Sequence, residues 1–386
     1  MSFEEFVDKM KSIQIALLDF LEDESDESED KFEYLINLIS SHKIINDKYE
    51  FKALLQLMNN ISLLHRRCPN FISKNERLLR HFKKDIQKYF SNSEIFKIFK
   101  LNKRILLFLI EEKMMTIDEY IFSQITSKKY AKEKYIEYFQ PEIKQFLTNG
   151  NIEKHGSINE ILQNEEFLEK MNKEVEKYFY EKRREGENDD YLCELIRFNN
   201  IEEFITFTEQ RNLPLDIEIK TSIFETNIII FDFFDQLKLI EYASLYGSND
   251  IIKYMQIKGV ELTSNIWYSA IHSGNAELIK YLEDNHVSPP DDILVMSVIC
   301  HHNEISDYII DNLIKEEDQQ NNIDNEYYDK LYHSAIGSCN YCFFPSRMKY
   351  KNTFYDLCFY DYYTLVKLYL SEGNIDVNAI IRSLSI

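Results

Sequence analysis

The side chains with which this 386-residue chain could do chemistry are six cysteines, nine histidines and 66 acidic residues. Cys339 and Cys342 form a Cys-x-x-Cys, a spacing that serves zinc only beside a second pair and redox exchange only in a βαβ setting. The other cysteines, at 68, 193, 300 and 358, supply no second pair. Ordinary buried thiols of an intracellular protein are therefore expected, not a disulfide framework. His301 and His302 are adjacent, so on a helix their rings would point about 100° apart and would not chelate together. The eight glycines stand at 150, 156, 186, 247, 259, 274, 337 and 373, no two within five residues, so no phosphate-cradling loop exists. No cofactor and no metal are expected, and neither catalytic residues nor a small-molecule substrate.

Charge narrows the partners. The net charge is -21, and residues 191–386 contribute -16 of it through 30 acidic and 14 basic side chains. That half is a poor match for phosphate backbones. Residues 51–110 run the other way, with 13 Lys/Arg against 3 acids, including Arg66, Arg67, Arg77, Arg80, Lys83, Lys84, Lys103 and Arg104. A solvated helix face is the expected use of such a run; a nucleic-acid surface is the alternative.

The elements that must position these residues are helical. Glycine and proline together number only 14, too few for the turns that sandwiches and barrels need. Apolar spacings of three and four predict helices over Glu4–Leu21, Phe32–Ile45, Phe51–His65, Asn75–Phe90, Ser93–Glu112, Thr116–Ile125, Tyr130–Leu147 and Ile158–Arg184. The polar run 22–30 reads as an acidic loop, with Ser25 and Ser28 as phosphorylation candidates. The longest apolar runs, such as Ile105–Ile110, fall far short of the roughly 18 residues a membrane span needs, and the first residues lack a signal-peptide pattern. A soluble, cytoplasmic protein is expected. The polar stretch 181–190 reads as a linker, dividing an N-terminal helical region, 1–190, from 191–386.

The second region repeats itself. A shift of 27 residues aligns Ala243, Ala270 and Ser297; Gly247, Gly274 and His301; Asp250, Glu277 and Glu304; Ile251, Leu278 and Ile305; Tyr254, Tyr281 and Tyr308; Met255, Leu282 and Ile309. The pattern predicts pairs of short helices, the first ended by a left-handed glycine and the second begun by an acid. One pair cannot bury its own apolar face, so copies must stack.

These residues resemble the ankyrin repeat: a small residue, a glycine four later, an apolar pair, and a closing glycine such as Gly259. Leu192–Leu213, with Asn212 in the glycine place, and Leu357–Asn378 look like further copies, while 214–236 is an insertion and 379–386 at most half of a capping repeat. Leu213-Pro-Leu, Ser222–Asn227 and Leu239–Ala243, with Phe99–Glu112 upstream, are similar to a divergent ankyrin family, expanded in protists, whose members carry a domain of unknown function ahead of the array. The resemblance implies an all-α solenoid of ankyrin-like helix pairs behind an N-terminal helical region. It further implies a non-enzymatic scaffold or adaptor, whose unknown protein partner lies on the concave face formed by Tyr242, Leu245, Tyr246, Ser269, His272, Ser273, Met296, Ile299 and the neighbouring Cys300. A nucleic-acid-binding role for 51–110 and an adaptor that recruits substrates to a larger enzyme complex are the alternatives.

Overall fold

A computed structural model describes residues 1–23, 28–65, 70–131, 133–148, 173–232, 234, 236–313, 326–345 and 352–372. Ser25, Arg66, Arg67, Gly373 and residues 379–386 lie outside the described residues. Among those described the regular elements are α-helices and two 3-10 turns, with one isolated antiparallel bridge, Glu218 to Lys238. Among them no helix is long and apolar enough to cross a membrane.

Five helix pairs share one internal spacing. First helices span Tyr191–Arg197, Leu239–Leu245, Ile266–His272, Ile293–Ile299 and Thr353–Phe359. Their partners span Ile201–Gln210, Asn249–Ile257, Ala276–Asp284, Asn303–Asn312 and Tyr363–Ser371, each starting ten residues after the first helix starts (191 to 201, 239 to 249, and so on). The starts at 239, 266 and 293 are 27 apart, so the sequence period is a period of helices.

The link between the two helices explains the glycine column. The residue eight places after each first helix begins is left-handed: Asn199 (φ 46°), Gly247 (66°), Gly274 (64°), His301 (62°) and Asp361 (60°). Its N–H bonds three residues back and the next N–H five back, as from Gly247 to Ser244 (3.1 Å) and from Ser248 to Ala243 (2.9 Å). This closure satisfies the last carbonyls of the first helix. His301 therefore keeps the backbone of the column while departing from its residue type, as do Asn199 and Asp361. Asparagine caps tie neighbouring links within each unit: in unit two Asn275 Nδ2 donates to Asn249 Oδ1 (3.0 Å), and in unit one Asn340 Nδ2 donates to Val298 O (2.8 Å) and Asn303 Oδ1 (3.1 Å).

The chain divides into two compact units, cut near 61–71 and at 290 rather than at 190. Unit one holds residues 1–61, 68–71 and 291–386. Its first helix, Phe3–Glu22, is closed by a Ser2/Glu5 capping box and buries Phe6, Met10, Ile13, Leu17 and Leu21. Together with Lys48–Leu64 it covers the links of the C-terminal pairs. Gln14 donates to Asn340 Oδ1 (2.8 Å) and accepts from the Tyr341 N–H (2.7 Å), Gln56 donates to Tyr360 O (3.1 Å), and Asn60 donates to Gly337 O (3.0 Å).

Unit two holds 62–67 and 72–290. The helices expected over 75–90 and 93–112 are each broken in two, at Phe82 and at 100–102. Asn102 caps the second break by accepting from the Ile105 N–H (3.1 Å). The stretch 181–190 is packed, not a free linker: the helix Lys173–Glu185 runs into it, and Arg183, 1% exposed, forks onto Glu142 (2.7 and 2.9 Å). Gly186, left-handed at φ 74°, follows, with its carbonyl held by the Thr226 hydroxyl (2.6 Å). Two first helices, Tyr191–Arg197 and Ile266–His272, pack against Leu239–Leu245.

Candidate interaction surface

The expected concave residues do not form an open face. Tyr242, Leu245, Ser269, His272, Ser273 and Met296 are buried, as is Cys300; Tyr246 and Ile299 are half-buried. Tyr242, Leu245, Tyr246, Ser269, His272 and Ser273 belong to unit two, and Met296 and Ile299 to unit one.

For the first two pairs the cover is the chain itself. Arg197 Nη1 donates to Asn188 O (2.7 Å) and to Tyr242 Oη (2.9 Å), and the Tyr246 hydroxyl donates to Glu187. Glu225, wholly buried, accepts from the Asn227 N–H (2.7 Å), and its charge reaches Tyr242. Residues 187–188 and the insertion thus occupy the ground on which a partner was expected. Burial, with Glu225 next in weight, holds the Tyr242 phenol well above its usual range, so it stays a neutral hydroxyl. One sequence signal marked this cluster. Arg197 stands where the next pairs carry Leu245, His272 and Ile299, and a cation in such a column needs a partner from elsewhere.

The insertion is anchored on the N-terminal helices of unit two. Lys103, buried, donates to Glu133 O (2.8 Å) and Ile223 O (3.1 Å), with its ammonium over the Tyr138 and Phe231 rings. Lys134 donates to Thr221 O (2.5 Å). Ile228, Ile229, Ile230 and Phe231 are buried, and the insertion's apolar run serves the core.

The basic segment is consumed in the same way. Arg104, 8% exposed, pairs with Glu76 (2.5 Å), and Arg80 and Lys83 converge on Glu112 (2.9 and 3.2 Å). The Arg80 hydrogen bond, joined by that of Lys83, lowers the Glu112 carboxyl against a smaller opposing desolvation. Among the described residues of 51–110, Lys84, Lys88 and Lys97 remain exposed, as does Arg80 beside Glu112, a thin remnant for a phosphate backbone.

Cys339 is buried, with Sγ 2.7 Å from the Tyr362 hydroxyl and 3.2 Å from Asn60 Nδ2. Burial pushes its thiol up to about 12, so it is not a thiolate near neutral pH. Cys193 and Cys300 are raised by burial in the same sense. His301 and His302 lie in the link between two helices, both buried.

Solvent meets other side chains of the pairs. In unit two these include Phe198 (75% exposed), Ile257 (82%) and Tyr191 (41%). Beside Ile257 a groove of about 390 Å³ opens between residues 212–216 and 258–260, with Thr208, Glu209 and Tyr254 on its walls. No family model, no curated protein and no solved structure matches this chain, so the ankyrin resemblance rests on its own residues and their period.

Proposed function

We propose that the chain is a non-enzymatic scaffold or adaptor of the cytoplasm, built on ankyrin-like helix pairs, whose surface holds another protein. The observation that carries this reading is the constant helix-pair spacing with its left-handed link at 199, 247, 274, 301 and 361. Stacked repeats of this kind offer extended surface and shallow relief, which suits macromolecular partners better than enclosed substrates. The buried, raised thiols and the neutral Tyr242 are the states of core groups, not of nucleophiles.

The partner-binding surface differs from the concave strip, because residues 187–188 and the insertion already fill its first part. Phe198 and Ile257 are the large apolar side chains most open on unit two's pairs, and exposed anchors of this type carry binding energy when a partner covers them. The test is affinity capture from native cells, comparing the full chain with a Phe198→Asp, Ile257→Asp double variant whose circular dichroism matches it. Proteins retained by the first and lost from the second support the reading. The same set recovered by both overturns the assigned surface, and recovery of the bait alone overturns the scaffold.

A further inference from the structure

The insertion carries one extended segment with an unused edge. Ile219 N–H donates to Leu237 O (2.8 Å), and Leu239 N–H donates to Ile217 O (2.9 Å). These two bonds fix residues 217–219 antiparallel to 237–239 and turn the main-chain N–H and C=O of the intervening Glu218 to the opposite edge. Glu218 is exposed, and its main chain has no hydrogen-bond partner among the described residues. Side chains alternate as on a strand with one covered face: Leu215, Ile217 and Ile219 are half-buried, while Asp216, Glu218 and Lys220 are exposed. The edge closes at 220, whose carbonyl accepts from Asn188 Nδ2 (2.9 Å), so residues 214–218 are the open length.

The surroundings select what can add there. Mixed charge along an edge repels a flat apolar strand, which disfavours another copy of a sticky edge. The neighbouring cations are engaged, Lys238 with Asp216 (3.0 Å) and Lys258 with Glu209 (3.1 Å). Glu218 has no ion-pair partner among the described residues, so a cation opposite it is the complementary cross-strand residue. The groove beside the strand's start, walled by Leu213, Pro214, Leu215, Tyr254 and Val260, offers room for an apolar side chain at an alternate position.

We propose that residues 214–218 form a strand-addition site for an extended segment of a partner protein, with a basic side chain opposite Glu218 and an apolar one in the adjoining groove. Main-chain hydrogen bonds supply the affinity of this recognition mode and alternate side chains its selectivity. The inference rests on the scaffold reading and names the partner's chemistry.

The probe is the acetylated, amidated peptide Thr-Val-Lys-Val-Arg-Val-Thr, titrated into the full chain by fluorescence anisotropy up to about 1 mM, the range in which weak peptide contacts register. Binding is expected, with the Glu218 amide proton exchanging about tenfold more slowly in the complex. Glu218→Pro removes the outward N–H and leaves the bonds of 217 and 219 in place, so it should weaken binding at least about tenfold. Should that variant misfold, Glu218→Lys decides: it should reject the basic peptide and accept one with Glu in place of Lys and Arg. Equal affinity for the wild type and Glu218→Lys, or no binding at all, overturns the proposal. So does a concentration-dependent dimer abolished by Glu218→Lys, which would make a second copy the occupant. Partners captured equally by wild type and Glu218→Lys remove the edge and leave the scaffold; peptide binding with no partner captured does the reverse.

Discussion

Gly247 and Gly259 both sit in left-handed backbone, at φ 66° and 94°, yet they face different surroundings. A Cβ built on Gly247 would lie 3.0 Å from Asn275 Nδ2, whereas one on Gly259 would meet nothing within 4 Å. Replacing either with alanine places an L-residue in left-handed backbone at roughly 1–2 kcal/mol. The reduced entropy of the unfolded chain offsets about 0.5 kcal/mol of that. About 1 kcal/mol is therefore expected at Gly259. At Gly247 the methyl also displaces the Asn275 amide from Asn249 Oδ1 (3.0 Å) and Gly247 O (3.4 Å), which adds about 1 kcal/mol. The assay is amide hydrogen exchange over residues 239–284, which reads unit two locally. About 2 kcal/mol corresponds to roughly thirtyfold faster exchange in Gly247→Ala, against about fivefold in Gly259→Ala. Equal acceleration in the two variants, or none in Gly247→Ala, would refute the claim that the links are tied to one another through Asn275.

Tyr242→Ala should cost about 3–5 kcal/mol, because it empties a core site and strips Arg197 of an acceptor; limited proteolysis of unit two reads it, and native-like resistance would return Tyr242 to the surface. Arg183→Ala leaves Glu142 half-buried without its fork and should lower unfolding free energy by about 3–5 kcal/mol in urea titrations. The Glu112 carboxyl is lowered when folded, so its contribution is present above the unfolded value of about 4.3 and is lost as pH falls through the lower folded value. Glu112→Gln should flatten the acid limb of the stability curve below about pH 4, and an unchanged limb would contradict this. With a thiol reagent at neutral pH, exposed Cys358 should label quickly, while Cys193, Cys300 and Cys339 react only on unfolding.

Much of the architecture could be read from residue spacing. The 27-residue offset located three pairs, because the apolar faces of short helices must recur to stack. What stayed hidden was the generality of the link: Asn199, His301 and Asp361 adopt the glycine backbone without being glycine, and closure by two main-chain bonds leaves no trace in side-chain type. The breaks at Phe82 and near Asn102 were also silent, since the apolar period continues across both. The concave strip failed as a surface for a different reason. Its cover comes from Glu187, Asn188 and Glu225, residues whose polarity argues for solvent until Arg197 is seen among them.

The union of the chain's two extremes within unit one bears on how the protein is made. The Phe3 N–H reaches Glu372, 369 residues away, and Gln14 reaches Asn340 across 326. On the ribosome, where synthesis runs at about 5–20 residues per second, the helix Phe3–Glu22 emerges long before the pairs it covers. Ser28–Ser41, its main helical neighbour, follows it at once, but the part of its apolar stripe that meets the C-terminal pairs waits while all of unit two is translated, and unit two, whose contacts lie within 62–290, can fold in the interval. The contacts of the first helix with the C-terminal pairs are thus the last to form, so a chaperone site or an aggregation hazard during biosynthesis falls on its apolar face around Phe6.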